Sequence, residues 1–288
     1  MKKIIIPLML CSAMTAFAAN KKVVLIAGSA SHGNGQHEHR AGCLLFKTAL
    51  DKFGGITSVV YSNGWPKEAN AFDGADAIII FSDGGGGHPA IQGDRLKVLG
   101  EAIKKGAGFG TIHYAVEVPK EKGGKEFLDW CGGYFETYWS VNPFWVAEFT
   151  KFPDHPIAWG LKSFKINDEW YYHMRFPEGM KNVTPILTAV PPDKTRGKPG
   201  ANDPHGGNPE VQKHMGEPEH LMWAIERPDG GRGFGFTGGH NHKGWAEPNM
   251  LKAILNAIVW TAKVEVPANG VEVPLTPEEL SVNLDKKR

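Results

Sequence analysis

The sequence predicts an α/β protein: a mainly parallel sheet with helices on both faces and an aromatic-rich insertion. Three observations carry that expectation. Apolar, β-branched runs alternate with segments of helical period through the first half; several of those runs end in glycine-rich or histidine-bearing loops; and residues 130–175 abandon the pattern for aromatics and turn formers. Repeated β-α-β units demand a parallel sheet covered on both sides, because the crossover helices lie over its faces.

Residues 22–28 read as the first strand and 40–53 as a helix, with Leu44, Leu45, Ala49 and Leu50 on its inward side. Strands at 57–62 and 75–82 follow, then a helix at 91–105 and a strand at 106–114. Within the insertion, 144–150 and 170–176 are expected strands. Beyond it come strands at 183–190, 221–226 and 232–237, and a closing helix over 248–261 that puts Leu251, Ile254, Leu255 and Ile258 on one face. Between these elements, residues 191–219 form a long loop rich in Pro, Gly, Asn and His, of a length that is usually functional or disordered. A domain over residues 19–266 is expected, followed by a loosely docked tail at 267–288, with no internal repeat and no second-domain linker.

The first 18 residues read as a secretory signal peptide. Lys2 and Lys3 precede an apolar stretch at residues 4–17, and Ala16-Phe17-Ala18 supplies a small-x-small cleavage pattern. A periplasmic or secreted protein is therefore expected, with no membrane span after cleavage. Without Lys2 and Lys3 the formal charge falls from +1 to −1, which leaves no basic footprint for nucleic acid. Cys43 and Cys131 remain; whether they pair is open, although Cys43 lies in an apolar run and reads as a core residue.

The histidines point to a polar site. Two triplets, His37-Glu38-His39 and His240-Asn241-His242, each follow an apolar run that ends in glycine-rich sequence. If those runs are parallel strands, both loops emerge at the carboxyl edge of the sheet, where open α/β folds place ligands, together with the loops carrying Asp83, His88 and His113. In an extended segment, side chains at i and i+2 point the same way, so His37, His39, His240 and His242, with His113, are candidate ligands for a divalent metal, zinc or similar. Solvated loop histidines, or a sugar site without metal, are the alternatives.

The stretch Asp168-Glu169-Trp170-Tyr171-Tyr172-His173, read as a strand, puts Glu169, Tyr171 and His173 on one face. Glu169 and His173 are then candidate proton carriers, with Glu169 alternatively a metal ligand, and Asp83 is a third catalytic candidate that would orient a histidine or bind sugar hydroxyls. Tyr114, Trp139, Tyr171, Trp245 and His88 are candidate substrate-binding residues. Glu117 and Glu136 are further acids near the same edge.

Several of these motifs together resemble the ThuA-like (trehalose utilisation) family: Gly33-x-Gly35-x-His37-Glu38-His39-Arg40-Ala41-Gly42, Asp83-Gly84-Gly85-Gly86-Gly87-His88-Pro89, His113-Tyr114-Ala115, Asp168-Glu169-Trp170-Tyr171 and Gly238-Gly239-His240. The resemblance spans about residues 22–264. It implies a flavodoxin-like fold related to the class I glutamine amidotransferases, and a part in carbohydrate metabolism, in some systems through 3-keto-glycosides. One departure matters. Those amidotransferases carry a cysteine nucleophile at the sharp turn after a central strand, whereas the matching segment here, Gly110-Thr111-Ile112-His113-Tyr114-Ala115, has no thiol. An imidazole does not replace a thiolate in acyl-enzyme chemistry, so glutamine hydrolysis by that route is rejected. No Gly-x-Ser-x-Gly elbow supports a serine hydrolase either.

The expectation is a secreted carbohydrate-active enzyme, a metal-dependent lyase or hydrolase acting on a small glycoside or 3-keto-glycoside, with no nucleotide cofactor. The alternative is a non-catalytic periplasmic sugar-binding protein that uses the same pocket. Substrate, metal identity and oligomeric state are not written in the sequence.

Overall fold

The computed structural model describes residues 20–287; the expected signal peptide lies outside the described residues. The first half alternates strand and helix: β1 (Lys21–Ala27), α1 (His39–Phe53), β2 (Ile56–Tyr61), β3 (Ala77–Phe81), α2 (Arg95–Lys104) and β4 (Gly108–Ile112). After α3 (Lys125–Cys131) the insertion contributes β5 (Phe144–Phe149) and β6 (Phe164–Glu169). Then come β7 (Val183–Ala189), α4 (Pro209–Lys213), β8 (Glu219–Glu226), β9 (Arg232–Phe236), α5 (Pro248–Thr261) and α6 (Pro277–Ser281).

Seven strands form one sheet in the order β2-β1-β3-β4-β9-β8-β7. The pairs from β2 to β9 are parallel, and β8 and β7 close the sheet by antiparallel pairing. The parallel portion follows the flavodoxin-like order, with the switch point between β1 and β3. Its central strands are apolar throughout because both faces are covered. Val23, Leu25, Ile79 and Phe81 pack with α1 and α5 on one face, while Val24, Ile26, Ile78 and Ile80 pack with α2 and α3 on the other. Cys43 and Cys131 are free and belong to these two opposite cores, so they do not pair. Among the described residues, no helix is long and apolar enough to cross a membrane.

Three expectations fail locally. The strand foreseen at 170–176 is instead β6, six residues earlier, paired antiparallel with β5 in a separate two-stranded sheet that matches Phe144 with Glu169. Trp170, Tyr171 and Tyr172 are all buried, so burial of a side-chain cluster produced the apolar signal, and the strand itself carries the polar sequence Lys165-Ile166-Asn167-Asp168-Glu169. The second helix begins at Arg95 because Gly93, at φ 55°, breaks the chain direction after a short turn at Pro89–Ile91. The tail is anchored as well: Thr276 and Glu279 form a capping box that starts α6, and Lys287 and Glu38 form an ion pair whose side chains are 4% and 1% exposed.

Candidate metal centre

The carboxyl edge of the parallel sheet gathers a cluster of imidazoles and carboxylates. His37 comes from the loop after β1, Asp83 from the loop after β3, His113 from the turn after β4 and His240 from the loop after β9. Glu169, the last residue of β6, enters from the insertion. Two backbone bonds splice the distant histidine loops: His37 N–H donates to His240 O (2.9 Å) and His242 N–H to Gly35 O (2.8 Å).

Four donor atoms converge. His37 Nε2 lies 3.1 Å from both His113 Nε2 and His240 Nδ1, while Glu169 Oε2 lies 2.8 Å from His240 Nδ1 and 3.4 Å from His113 Nε2. For bonds of about 2.0–2.1 Å to one tetrahedral ion, donors stand roughly 3.3 Å apart, so these separations have the scale of a coordination shell.

The proton positions sharpen the case. Thr237 O is an acceptor only, so His113 Nδ1–H must donate to it (2.8 Å), and Nε2 is the nitrogen that faces the cluster. His37 Nδ1–H donates to Asp83 Oδ1 at 2.6 Å. Burial would raise the Asp83 carboxyl, but hydrogen bonds from His37 and Ser31 and the nearby His39 ring together outweigh it and hold the group at about 2. Burial also drives His37 down to about 3, which keeps that imidazole neutral. With both Nδ1–H groups committed outward, the two Nε2 atoms face each other at 3.1 Å, a contact that a shared cation relieves. Glu169 stays ionised: burial opposes its charge, yet its contacts with the His113 and His240 rings bring it to about 2. Three imidazole nitrogens, one carboxylate, and outer partners that fix two of the ring orientations form a set suited to zinc or a similar dication, and the residues present fit such an ion.

The local backbone serves this arrangement. His37 (φ 45°) and His113 (φ 56°) both occupy the left-handed region, which costs of order 1 kcal/mol for a residue with a Cβ and is characteristic of functional sites. His113 sits on the tight turn between β4 and a 3-10 turn at His113–Val116.

The remaining candidates are sorted by the same geometry. Each His-x-His triplet sends one imidazole to the cluster, not two. His39 opens α1 and His242 opens the 3-10 turn His242–Ala246, so neither triplet is extended and the i, i+2 alignment is lost. His39 faces Ser29 O through Nδ1 (3.1 Å), and His242 Nε2–H donates to Leu280 O (2.9 Å). His173 does not share a face with Glu169, because β6 ends before it and its own φ of 58° turns the chain; its ring lies between Trp139 and His214, with Nδ1 3.4 Å from Glu219.

Trp139 is covered by that histidine and by the Arg175 guanidinium, 3.3 Å from its ring centre, and Trp245 is a fully buried core residue against Phe46 and Phe81. His88 is wholly buried and structural, bonded to Ala115 O and to the Ala90 amide. Tyr171 does reach the cluster, its hydroxyl 3.4 Å from His113 Nε2 and 3.3 Å from Glu169 Oε2, and Tyr114 sets its ring edge-on to His37. Sequence reasoning missed the Thr237 carbonyl, which no residue type signals, and the His32 ring also joins the cluster, stacked on His37 at 3.6 Å.

A flavodoxin-ordered α/β sheet bearing an imidazole and carboxylate cluster over its carboxyl edge defines the class of protein. The family model of ThuA, trehalose utilisation, matches residues 23–261, and the chain belongs to that family. Among solved structures it is similar to a ThuA-like protein from Bacteroides uniformis (15% identity, 85% of this chain and 93% of the other, TM-score 0.58). It is similar as well to one from Parabacteroides merdae (16% identity, 88% and 93%, TM-score 0.56). At that identity the likeness speaks for the fold alone. No curated protein matches the sequence significantly.

Proposed function

We propose that this protein is an exported, divalent-metal-dependent enzyme of sugar breakdown, a lyase or hydrolase acting on a glycoside or its 3-keto derivative. The observation that carries the reading is the convergence of His37 Nε2, His113 Nε2, His240 Nδ1 and Glu169 Oε2 beneath the open edge of the sheet. The sugar comes from the family, whose description is trehalose utilisation. A dication held there would supply Lewis acidity toward a carbonyl or hydroxyl oxygen.

The chain's own groups divide the remaining work. Asp83 and Thr237 O hold the His37 and His113 rings with Nε2 toward the cluster. Tyr171, pushed well above its ordinary pKa by burial, stays a neutral hydroxyl beside His113 and Glu169. Glu169 either completes the donor set or carries the proton, and the two roles separate cleanly. As a donor, Glu169→Ala empties the site of metal; as a base, it keeps the metal and loses turnover. Export rests on the segment at residues 1–18, and it predicts a mature N-terminus at or near Ala19 by N-terminal sequencing.

The test of the reading is turnover of a panel of glycosides and 3-keto-glycosides by metal-loaded and chelator-treated protein. Loss of turnover on chelation, restored by a dication, supports the enzyme. Sugar binding that persists in chelator with no turnover makes it a binding protein instead.

A further inference from the structure

Beside the cluster stands a buried carboxylate that the proposed chemistry does not use. The Glu117 side chain is 4% exposed, and its ion-pair neighbour is His205 Nε2 at 3.3 Å. His205 serves Oε2 alone, and among the described residues no hydrogen bond reaches Glu117 Oε1. A buried carboxylate in such surroundings is costly unless something else donates to it.

The space in front of Glu117 is shaped for a donor. Gly85, at φ 62°, has no side chain there: a Cβ at that position would stand 3.4 Å from Glu117 Oε1 and 3.5 Å from the Tyr114 hydroxyl, so the two oxygens converge on one point. The Tyr114 ring lies edge-on to His37 at 6.0 Å, which connects this point to the metal cluster. The Tyr114 phenol can both donate and accept there. His205 arrives from the segment between β7 and α4, whose Pro204 carbonyl accepts from the Tyr138 amide; the His205 ring packs against Phe135.

We propose that Glu117, Tyr114 and His205 form a substrate-binding wall that takes adjacent hydroxyls of a neutral sugar ring, with Gly85 as its floor. A carboxylate accepts two hydroxyl protons at once, and the phenol and imidazole supply the complementary partners. The charges define the class of ligand. Glu117, Asp83 and Glu169 all act on the Tyr114 hydroxyl, three carboxylates against one dication, so the wall keeps net negative charge that disfavours a phosphorylated or acidic sugar and leaves a neutral polyol unaffected. The assignment rests on the reading of the histidine cluster as the reaction centre.

The test measures binding of trehalose, 3-keto-trehalose and trehalose 6-phosphate to the metal-loaded protein by titration calorimetry, with metal content determined on each sample. The wild type is expected to bind at least one neutral sugar, and the phosphate at least tenfold more weakly. Glu117→Gln and His205→Ala are each expected to weaken neutral-sugar binding by about tenfold or more while bound metal and melting temperature stay near wild type. Gly85→Ala, with its methyl group in the hydroxyl position, is expected to weaken binding without loss of metal. Unchanged affinity in Glu117→Gln and His205→Ala, tighter binding of the phosphate, or no binding of either neutral sugar overturns the proposal. Absence of metal alongside normal, Glu117-dependent sugar binding would fail the metal reading and leave this one standing.

Discussion

At the scale of single residues, the cluster is governed by which nitrogen carries the proton. His113 has its Nδ1 committed to Thr237 O and His37 to Asp83, so both rings turn Nε2 toward the cluster. Replacing Asp83 with Asn keeps the size of the group but removes the charge that fixes the His37 ring. The expected result is a 10- to 100-fold loss of metal affinity or activity, the usual cost of such an outer partner, measured by competition with a chromophoric chelator. His113→Asn is the sharper variant. Asn tolerates the left-handed backbone at φ 56° but cannot place a donor atom at the Nε2 position. Turnover should fall by about 10²-fold or more with a small change in melting temperature; a variant that melts far earlier yet turns over normally would show that the ring merely packs.

Residue types were legible at this scale, and their partners were not. The triplets and the His113 turn announce themselves in sequence, but which member of each triplet points inward depends on where a helix begins. That boundary placed His39 and His242 on the wrong side of the expectation. Trp245 and His88 show the converse: side chains capable of binding chemistry that the fold spends on packing and turn geometry.

At the scale of elements, the parallel strands were readable because burial on both faces leaves an uninterrupted apolar run. β6 was not, since its outer face tolerates Lys165 and Asn167 and its end turns Glu169 into the cluster. The C-terminal strap was the larger surprise. Its residues hold both histidine loops: Lys287 pairs with Glu38 beside His37, Asp285 N–H donates to Glu38 Oε2 (2.7 Å), and Leu280 O accepts from His242. Lys287→Ala should leave Glu38 buried with less compensation and cost a few kcal/mol, seen as a lower melting temperature. Deleting residues 276–288 should in addition weaken metal binding about tenfold by loosening the His37 loop. Unchanged affinity in the deletion would confine the strap to a role in stability.

At the scale of the whole molecule, buried neutral histidines set the acid limit. Burial lowers His88 from 6.5 to about 4 and His39 likewise to about 4. Between those values the unfolded chain binds protons that the folded chain refuses, so stability is full above pH 6.5 and is lost as pH falls toward 4. For His88 alone the shift corresponds to about 3 kcal/mol. A fall in melting temperature on the order of 10 °C is expected between pH 7 and 5, with a shallower slope in His88→Asn. A flat profile across that range would show these imidazoles to be protonated in the folded state.

The central claim is that the four converging donors hold a metal, and elemental analysis of protein purified without chelator tests it most directly. About one dication per chain is expected, zinc or similar, falling to background in a variant that carries both His37→Ala and His113→Asn. Protein that is metal-free as purified, takes up no dication when one is supplied, and shows the same melting temperature with and without it would contradict the claim.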